Sequence, residues 1–251
     1  MVAGWSGHWF NEENCMTTHF TSGVTNVGGA STLGKLKMPA PSKYHTYHND
    51  FDTYLASDWT ITTTEGGSGN ASEALGDGDG GLLVITNDDA DNDNDFLQLV
   101  KEGFKFESGK QLAFSARFKT SDADASDVVM GLQLTDTSPL NVTDGIFFLL
   151  TDGSTTLQFI VEKDSSQSTL NLGTAMADDT FMTVGFVFDP KDQLFHVFQN
   201  NKEVGTVVST NAPDDEELTV SFGIQNGAAA AKVLTVDYVT AMKERTADTE
   251  L

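Results

Sequence analysis

From Phe51 onward the chain alternates apolar and polar residues with a period of two, the pattern that puts successive side chains on opposite faces of an extended strand. Leu112, Phe114, Ala116 and Phe118 stand against Ala113, Ser115, Arg117 and Lys119, and Leu218, Val220, Phe222 and Ile224 stand against Thr219, Ser221, Gly223 and Gln225. Both runs predict a strand with one face in a core and one in water. Similar runs predict strands over 59–64, 82–86, 96–100, 128–135, 157–163, 181–189, 194–199 and 234–239. The stretch 146–150 (IFFLL) is apolar on both sides, which predicts a central strand covered on both faces.

Residues that tolerate positive φ separate these runs: the 76–81 string (GDGDGG), Asp144 with Gly145, Asp152 with Gly153, Asn200 with Asn201, and Asn226 with Gly227. One short helix is predicted over 241–246. About a dozen strands without crossover helices imply antiparallel pairing in two face-to-face sheets. The predicted fold class is therefore all-β, an antiparallel two-sheet sandwich over residues 50–251. Residues 1–49 lack either period, are rich in Gly, Ser, Thr and Asn, and are broken at Pro39 and Pro41, which predicts an extended N-terminal arm.

The arm nevertheless carries Trp5, Trp9, Phe10, Phe20, Tyr44 and Tyr47, whereas segments that stay unstructured are poor in aromatics. These side chains either fold back on the sandwich or anchor the arm on a partner. His8, His19, His45 and His48 also fall here, but their spacing, without a neighbouring cysteine, matches no compact metal signature. Cys15 is the only cysteine, so no internal disulfide forms.

Charge sharpens the division. The chain has 37 acidic and 14 basic residues, a net charge of −23. Residues 1–50 hold three acids (Glu12, Glu13, Asp50) and three bases (Lys35, Lys37, Lys43), so the whole excess lies in the sandwich. Such a surface repels nucleic-acid phosphates and anionic lipid, which argues against either partner. No basic and apolar leader opens the chain and no run approaches membrane-span length, which predicts synthesis in a cytoplasm. The triplets at Asn70 and Asn141 then read as chance glycosylation matches.

The segments 181–189 (FMTVGFVFD), 194–198 (LFHVF) and 200–206 (NNKEVGT) resemble the late strands of laminin-G-like, concanavalin A-like jelly rolls: a strand ending in Asp, an alternating strand, then a tight turn before a Val-Gly pair. Asn201 stands where Gly is commoner. The opening 48–59 (HNDFDTYLASDW) and the closing 234–239 (LTVDYV) look like the first and last strands of the same fold, so the likeness spans about 190 residues. The Gly- and Thr-rich arm joined to an acidic lectin-like jelly roll is also similar to structural proteins of tailed bacteriophages. That resemblance implies a capsid decoration or cement protein on the virion surface. Its partners would be the major capsid protein and neighbouring copies of itself; by analogy with shell-decorating proteins that sit on symmetry axes a trimer fits, with a monomer or dimer left open.

Because the fold includes glucanases, catalysis is a testable alternative. The glucanase hallmark, a strand bearing Glu-x-Asp-x-Glu that sets two carboxylates across the glycosidic bond, is absent from the sequence. The acidic string 214–217 (DDEE) follows Pro213 in an apparent turn and reads as a solvated loop. Nucleophile-elbow, phosphate-loop and zinc-helix motifs are also missing. A non-catalytic protein is expected.

One concentrated feature remains. The 87–95 run (NDDADNDND), together with Asp77 and Asp79, offers hard oxygen donors of the kind calcium takes, with Asp89, Asp91, Asp93 and Asp95 as candidate ligands. The run is no EF-hand: counting from Asp88, Asp93 and Leu99 stand where Gly and Glu belong. It is either a calcium site of another design or a solvated turn. Two functions follow: the capsid decoration protein, anchored by its arm, and a carbohydrate- or receptor-binding module of a tail fibre or adhesin, with surface glycans as ligand.

Overall fold

In a computed structural model, the described residues are 39–78 and 80–246. By contact the described residues divide into two units, 39–44 with 245–246, and His45–Glu244. In the first, the backbone N–H groups of Lys43 and Tyr44 both donate to Ala40 O at 2.9 Å, and Arg245 N donates to Lys43 O at 2.7 Å.

The second unit is built from strands alone, apart from three-residue 3₁₀ turns such as Pro139–Asn141. In chain order these are β1 (Tyr44–Asn49), β2 (Trp59–Thr64), β3 (Ser72–Gly78), β4 (Gly80–Thr86), β5 (Asn94–Leu99), β6 (Phe104–Lys105), β7 (Leu112–Thr120) and β8 (Ser126–Gln133). There follow β9 (Gly145–Leu150), β10 (Gln158–Lys163), β11 (Ser166–Asn171), β12 (Met182–Asp189), β13 (Leu194–Gln199), β14 (Lys202–Val208), β15 (Glu217–Asn226) and β16 (Val233–Glu244). The first sheet runs β11-β10-β9-β8-β15-β5-β2, with β6 also on β15. The second runs β14-β13-β12-β7-β16-β4-β3, with β1 also on β16. Neighbours within both paths are antiparallel. The architecture is the all-β jelly-roll sandwich that alternation and resemblance predict.

The inner faces meet through phenylalanine. Phe159 of β10 lies 5.3 Å from Phe186 of β12, and Phe106 lies 4.7 Å from Phe188. Phe118, Phe148, Phe186, Phe195 and Phe222 have no exposed surface. Each such ring contributes about 2 to 3 kcal/mol by area removed from water.

β7 has the alternation the sequence predicts, buried at Leu112, Phe114, Ala116 and Phe118 and half-buried between. β9 is covered on both faces, as its apolar run predicts. Two expectations are corrected. β15 is dry over most of its expected wet face, because Thr219, Ser221 and Gly223 are buried as fully as Val220 and Phe222, and only Gln225 at its end is part-exposed. The 241–246 stretch is no helix, since β16 continues to Glu244 with Ala241, Met242 and Lys243 paired to Phe114, Ala113 and Leu112. A shift in register between Val236 and Tyr238 disguises that strand's period. Among the turns, Asn200 and Asn201 take φ of 50° and 62°, and Gly153 takes 77°. Asp164 and Ser165, at 49° and 62°, turn the β10–β11 hairpin without the usual Gly.

Candidate functional site

The outer face of the first sheet is unusual in being largely covered. Phe96, Val129, Val142, Phe147 and Ile160 form a second apolar cluster there, with Leu140 and Leu149 packed against it. Glycine makes this possible: a Cβ on Gly223 would lie 2.5 Å from Cδ1 of Phe96, so the Phe96 ring occupies the place a side chain on β15 would take. Beside the cluster, amides secure the 134–144 segment. Gln98 donates to Leu134 O at 3.1 Å, Gln133 donates to Pro139 O at 2.9 Å, and Ser221 donates to Gln133 Oε1 at 2.6 Å. Polar residues of β15 that read as solvent-facing are thus buried and hydrogen-bonded, which satisfies them at no net penalty.

Toward the other end of the same face the cover stops and planar polar groups gather. In register, Asn94, Gln225 and Asp127 stand side by side on β5, β15 and β8. Gln225 Nε2 donates to Asn92 Oδ1 at 3.4 Å and to Asp127 Oδ2 at 3.3 Å, and Asn94 Nδ2 donates to Gln225 Oε1 at 3.3 Å. These bonds are long, and Asn94 Oδ1 has no partner. The backbone N–H of Asp152 donates to Asp127 Oδ1 at 2.9 Å. Burial raises the Asp127 carboxyl above its ordinary range, with the nearby Asp152 charge adding to this. On β10 and β11, Gln158 donates to Asn171 at 2.8 Å on the exposed continuation of the face.

The loop supplying Asn92 also builds an acidic corner. Ligand oxygens of Glu65, Asp88 and Asp93 lie within 4.8 Å of one another. Each carboxylate is oriented by backbone: Glu65 accepts from Ala71 N, Asp88 from Gly69 N at 2.8 Å, and Asp93 from Gly66 N and from Ala90 N at 3.1 Å. Asn226 ties the loop down by donating to Asp88 O at 2.7 Å and Ala90 O at 2.9 Å. Next to this trio, Asp95 points inward from β5, fully buried, and accepts from Thr63 Oγ1 at 2.7 Å. Its Oδ2 has no partner, nor do Glu65 Oε2 and Tyr54 Oη. Burial, with the neighbouring carboxylates of Glu73 and Glu65, pushes the Asp95 carboxyl up to about 7.

Of the sequence-predicted calcium ligands, the structure brings Asp93 into this corner and Asp95 beside it. Asp89 and Asp91 are exposed on the loop, and Asp77 lies at the far end of β3, opposite Gly81. Asp79 is outside the described residues. Glu65 escapes a sequence reading because it lies well upstream of the acidic run that begins after Asn87, and no local pattern marks it. Trp5, Trp9, Phe10 and Phe20 are also outside the described residues. Tyr44 is half-buried with Lys43 Nζ 5.2 Å from its ring centroid. Tyr47 packs edge-on against Trp59 at 6.4 Å, within its own sandwich.

Two other features offer less chemistry. Asp214 and Asp215 pair with Lys163, and that contact holds the Asp214 carboxyl below its usual range. On the outer face of the second sheet, Ser115, Thr183, Gly185, Val187, Phe198 and Asn201 line a shallow depression of about 280 Å³. It carries no ionisable group and is smaller than typical ligand pockets.

No protein-family model matches the chain, and no curated protein matches it by sequence. Solved structures do match by shape. A protein of unknown function from Shewanella oneidensis MR-1 aligns with a TM-score of 0.60 at 18% identity, covering 90% of this chain and 99% of that one. The potassium-bound carbohydrate recognition domain of Emp46p aligns at 0.55 and 12% identity, covering 77% and 94%. An endo-1,3-beta-glucanase from Streptomyces sioyaensis aligns at 0.56 and 15% identity, covering 82% and 99%. At these identities the likeness is one of fold, and that fold is the concanavalin A-like jelly roll found in both lectins and glycoside hydrolases.

Proposed function

We propose that this chain is a non-catalytic glycan-binding module that holds its ligand on the uncovered end of the first sheet's outer face. The observation that carries the reading is the array of Asn92, Asn94, Asp127 and Gln225, part-exposed and joined only by long bonds. Sugar hydroxyls donate and accept together, so planar amides and carboxylates at fixed spacing suit them, and long internal bonds are readily exchanged for ligand bonds. The carbohydrate recognition domain among the structural neighbours lends fold-level support only. A calcium-class cation belongs to the reading as support for the loop that presents Asn92.

Absence of catalysis is part of the proposal. The centre of this face is occupied by Gln98, Gln133 and Ser221, bonded to one another and to the 134–144 segment, where a glycosidase would need two free carboxyl groups about 5 to 9 Å apart. The test is a glycan array on the full chain, with and without chelator, followed by a reducing-end assay on each hit. Specific binding without new reducing ends is expected; an array with no specific hit, or release of reducing ends, argues against the proposal.

Capsid decoration on a virion surface stands as a second proposal. It is motivated by the charge-neutral aromatic arm joined to an acidic sandwich, with shell protein and further copies of the chain as partners. Removing residues 1–38 should then abolish association with particles while leaving the sandwich folded. Undiminished association would remove its basis.

A further inference from the structure

We infer that Glu65, Asp88 and Asp93 form a binding site for one hard divalent cation of the calcium class, with Asp95 beside it. The inference fixes the ligands of the cation in the reading above; it rests on that part of the reading and not on the glycan.

Glu65 comes from the end of one strand and the two aspartates from a loop distant in sequence, and their ligand oxygens fall within 4.8 Å of one another. Like charges so close repel unless a cation or proton lies between them. Among the described ion pairs, none brings a lysine, arginine or histidine to Glu65, Asp88, Asp93 or Asp95.

A second observation is independent of the clustering. Asp95 has no exposed surface, and its Oδ2 meets no N–H or hydroxyl donor, facing the carboxylates of Glu73 first and Glu65 second; the buried Oε2 of Glu65 is likewise without a donor. Buried carboxylate oxygens left bare are costly, and a cation satisfies them as well as a donor would. The donor chemistry chooses the ion. Carboxylate oxygen without thiolate or imidazole selects a hard cation over zinc or copper. Backbone N–H groups of Gly66, Gly69, Ala71 and Ala90 hold the carboxylates from behind, which leaves their remaining lone pairs for the metal. Ligands drawn from a strand end and an irregular loop suit calcium, which accepts flexible coordination, better than magnesium, which demands a near-ideal octahedron.

The test is calorimetric titration of the chelator-stripped full chain with calcium alone, no glycan being present, with circular dichroism to check folding. One equivalent is expected to bind with a dissociation constant at or below about 1 mM. Glu65→Gln keeps an acceptor for Ala71 N and should weaken binding at least about tenfold, whereas Asp89→Asn, at an exposed position on the same loop, should leave it unchanged. Asp93→Asn should abolish binding; should it not fold, Glu65→Gln carries the test. No saturable binding up to about 10 mM, or equal effects of Glu65→Gln and Asp89→Asn, would overturn the inference in favour of a diffuse acidic atmosphere. Glycan binding is read separately on the array, so either idea can fail while the other stands.

Discussion

Lys232 is a buried cation, with a side chain only 6% exposed, and its ammonium donates to Asp122 Oδ2 at 2.6 Å. That bond, ahead of those from backbone N–H groups, holds the Asp122 carboxyl below its ordinary range. A depressed carboxylate stabilises the fold above its unfolded value, about pH 3.9, and loses this contribution as pH falls through the lower folded value. Water reaches about a third of the Asp122 side chain and screens the pair, which trims its worth. Asp122→Ala is therefore expected to cost about 1 to 2 kcal/mol at pH 7, measured by urea unfolding, with the gap to the unaltered chain closing below about pH 4. A gap that stays constant across that range would assign the loss to packing instead. At this scale the sequence is legible only in part. Asp93 and Asp95 stand out because they lie in a run of acids, but Asp88 and Asp89 look alike until the loop folds and exposes one of them. Glu65 reaches the same corner from the end of β2, and tertiary contact alone reveals it.

β15 illustrates how an element can be identified correctly and its surroundings misjudged. Period two fixes the strand and its inner face, but whether the other face meets water depends on what chain passes over it. Here Gln98, Gln133 and Ser221 hold the 134–144 segment across the sheet, and Gly223 yields space to Phe96. Gln133→Ala should leave Pro139 O and Ser221 short of partners, cost about 1 to 3 kcal/mol, and speed amide exchange in 134–144 before the rest of the sandwich opens. Exchange that rises uniformly would mean the segment is held by its apolar contacts alone. The β13–β14 turn offers the converse test. Asn201 sits at φ 62°, where Gly is unstrained, so Asn201→Gly should leave stability within about 0.5 kcal/mol or raise it slightly, by thermal unfolding. A clear loss would show that the Asn201 side chain does more than tolerate its backbone. The final strand misleads for another reason: the register shift after Val236 breaks the period, so the tail of β16 resembles a helix in sequence.

At the level of the whole molecule, fold class is readable because it follows from repetition: alternation over many runs, turn residues between them, and no helical period long enough to cross a sheet. Function is less readable because the surface proposed to bear it is assembled from β5, β8, β15 and the loop before β5, each contributing one or two ordinary polar residues. The acidic surplus, confined to residues 51–251, favours uncharged or cationic ligands over anionic ones at physiological salt, in keeping with a neutral glycan. The same sandwich offers two outer faces, and the choice between them is the heart of the functional proposal. It is tested most directly by titrating the best array glycan into Gln225→Ala and Thr183→Ala, one substitution in the amide array of the first sheet and one in the depression of the second. The account predicts at least about a tenfold loss of affinity for Gln225→Ala and none for Thr183→Ala. The reverse order, or equal affinity in both variants, would contradict it.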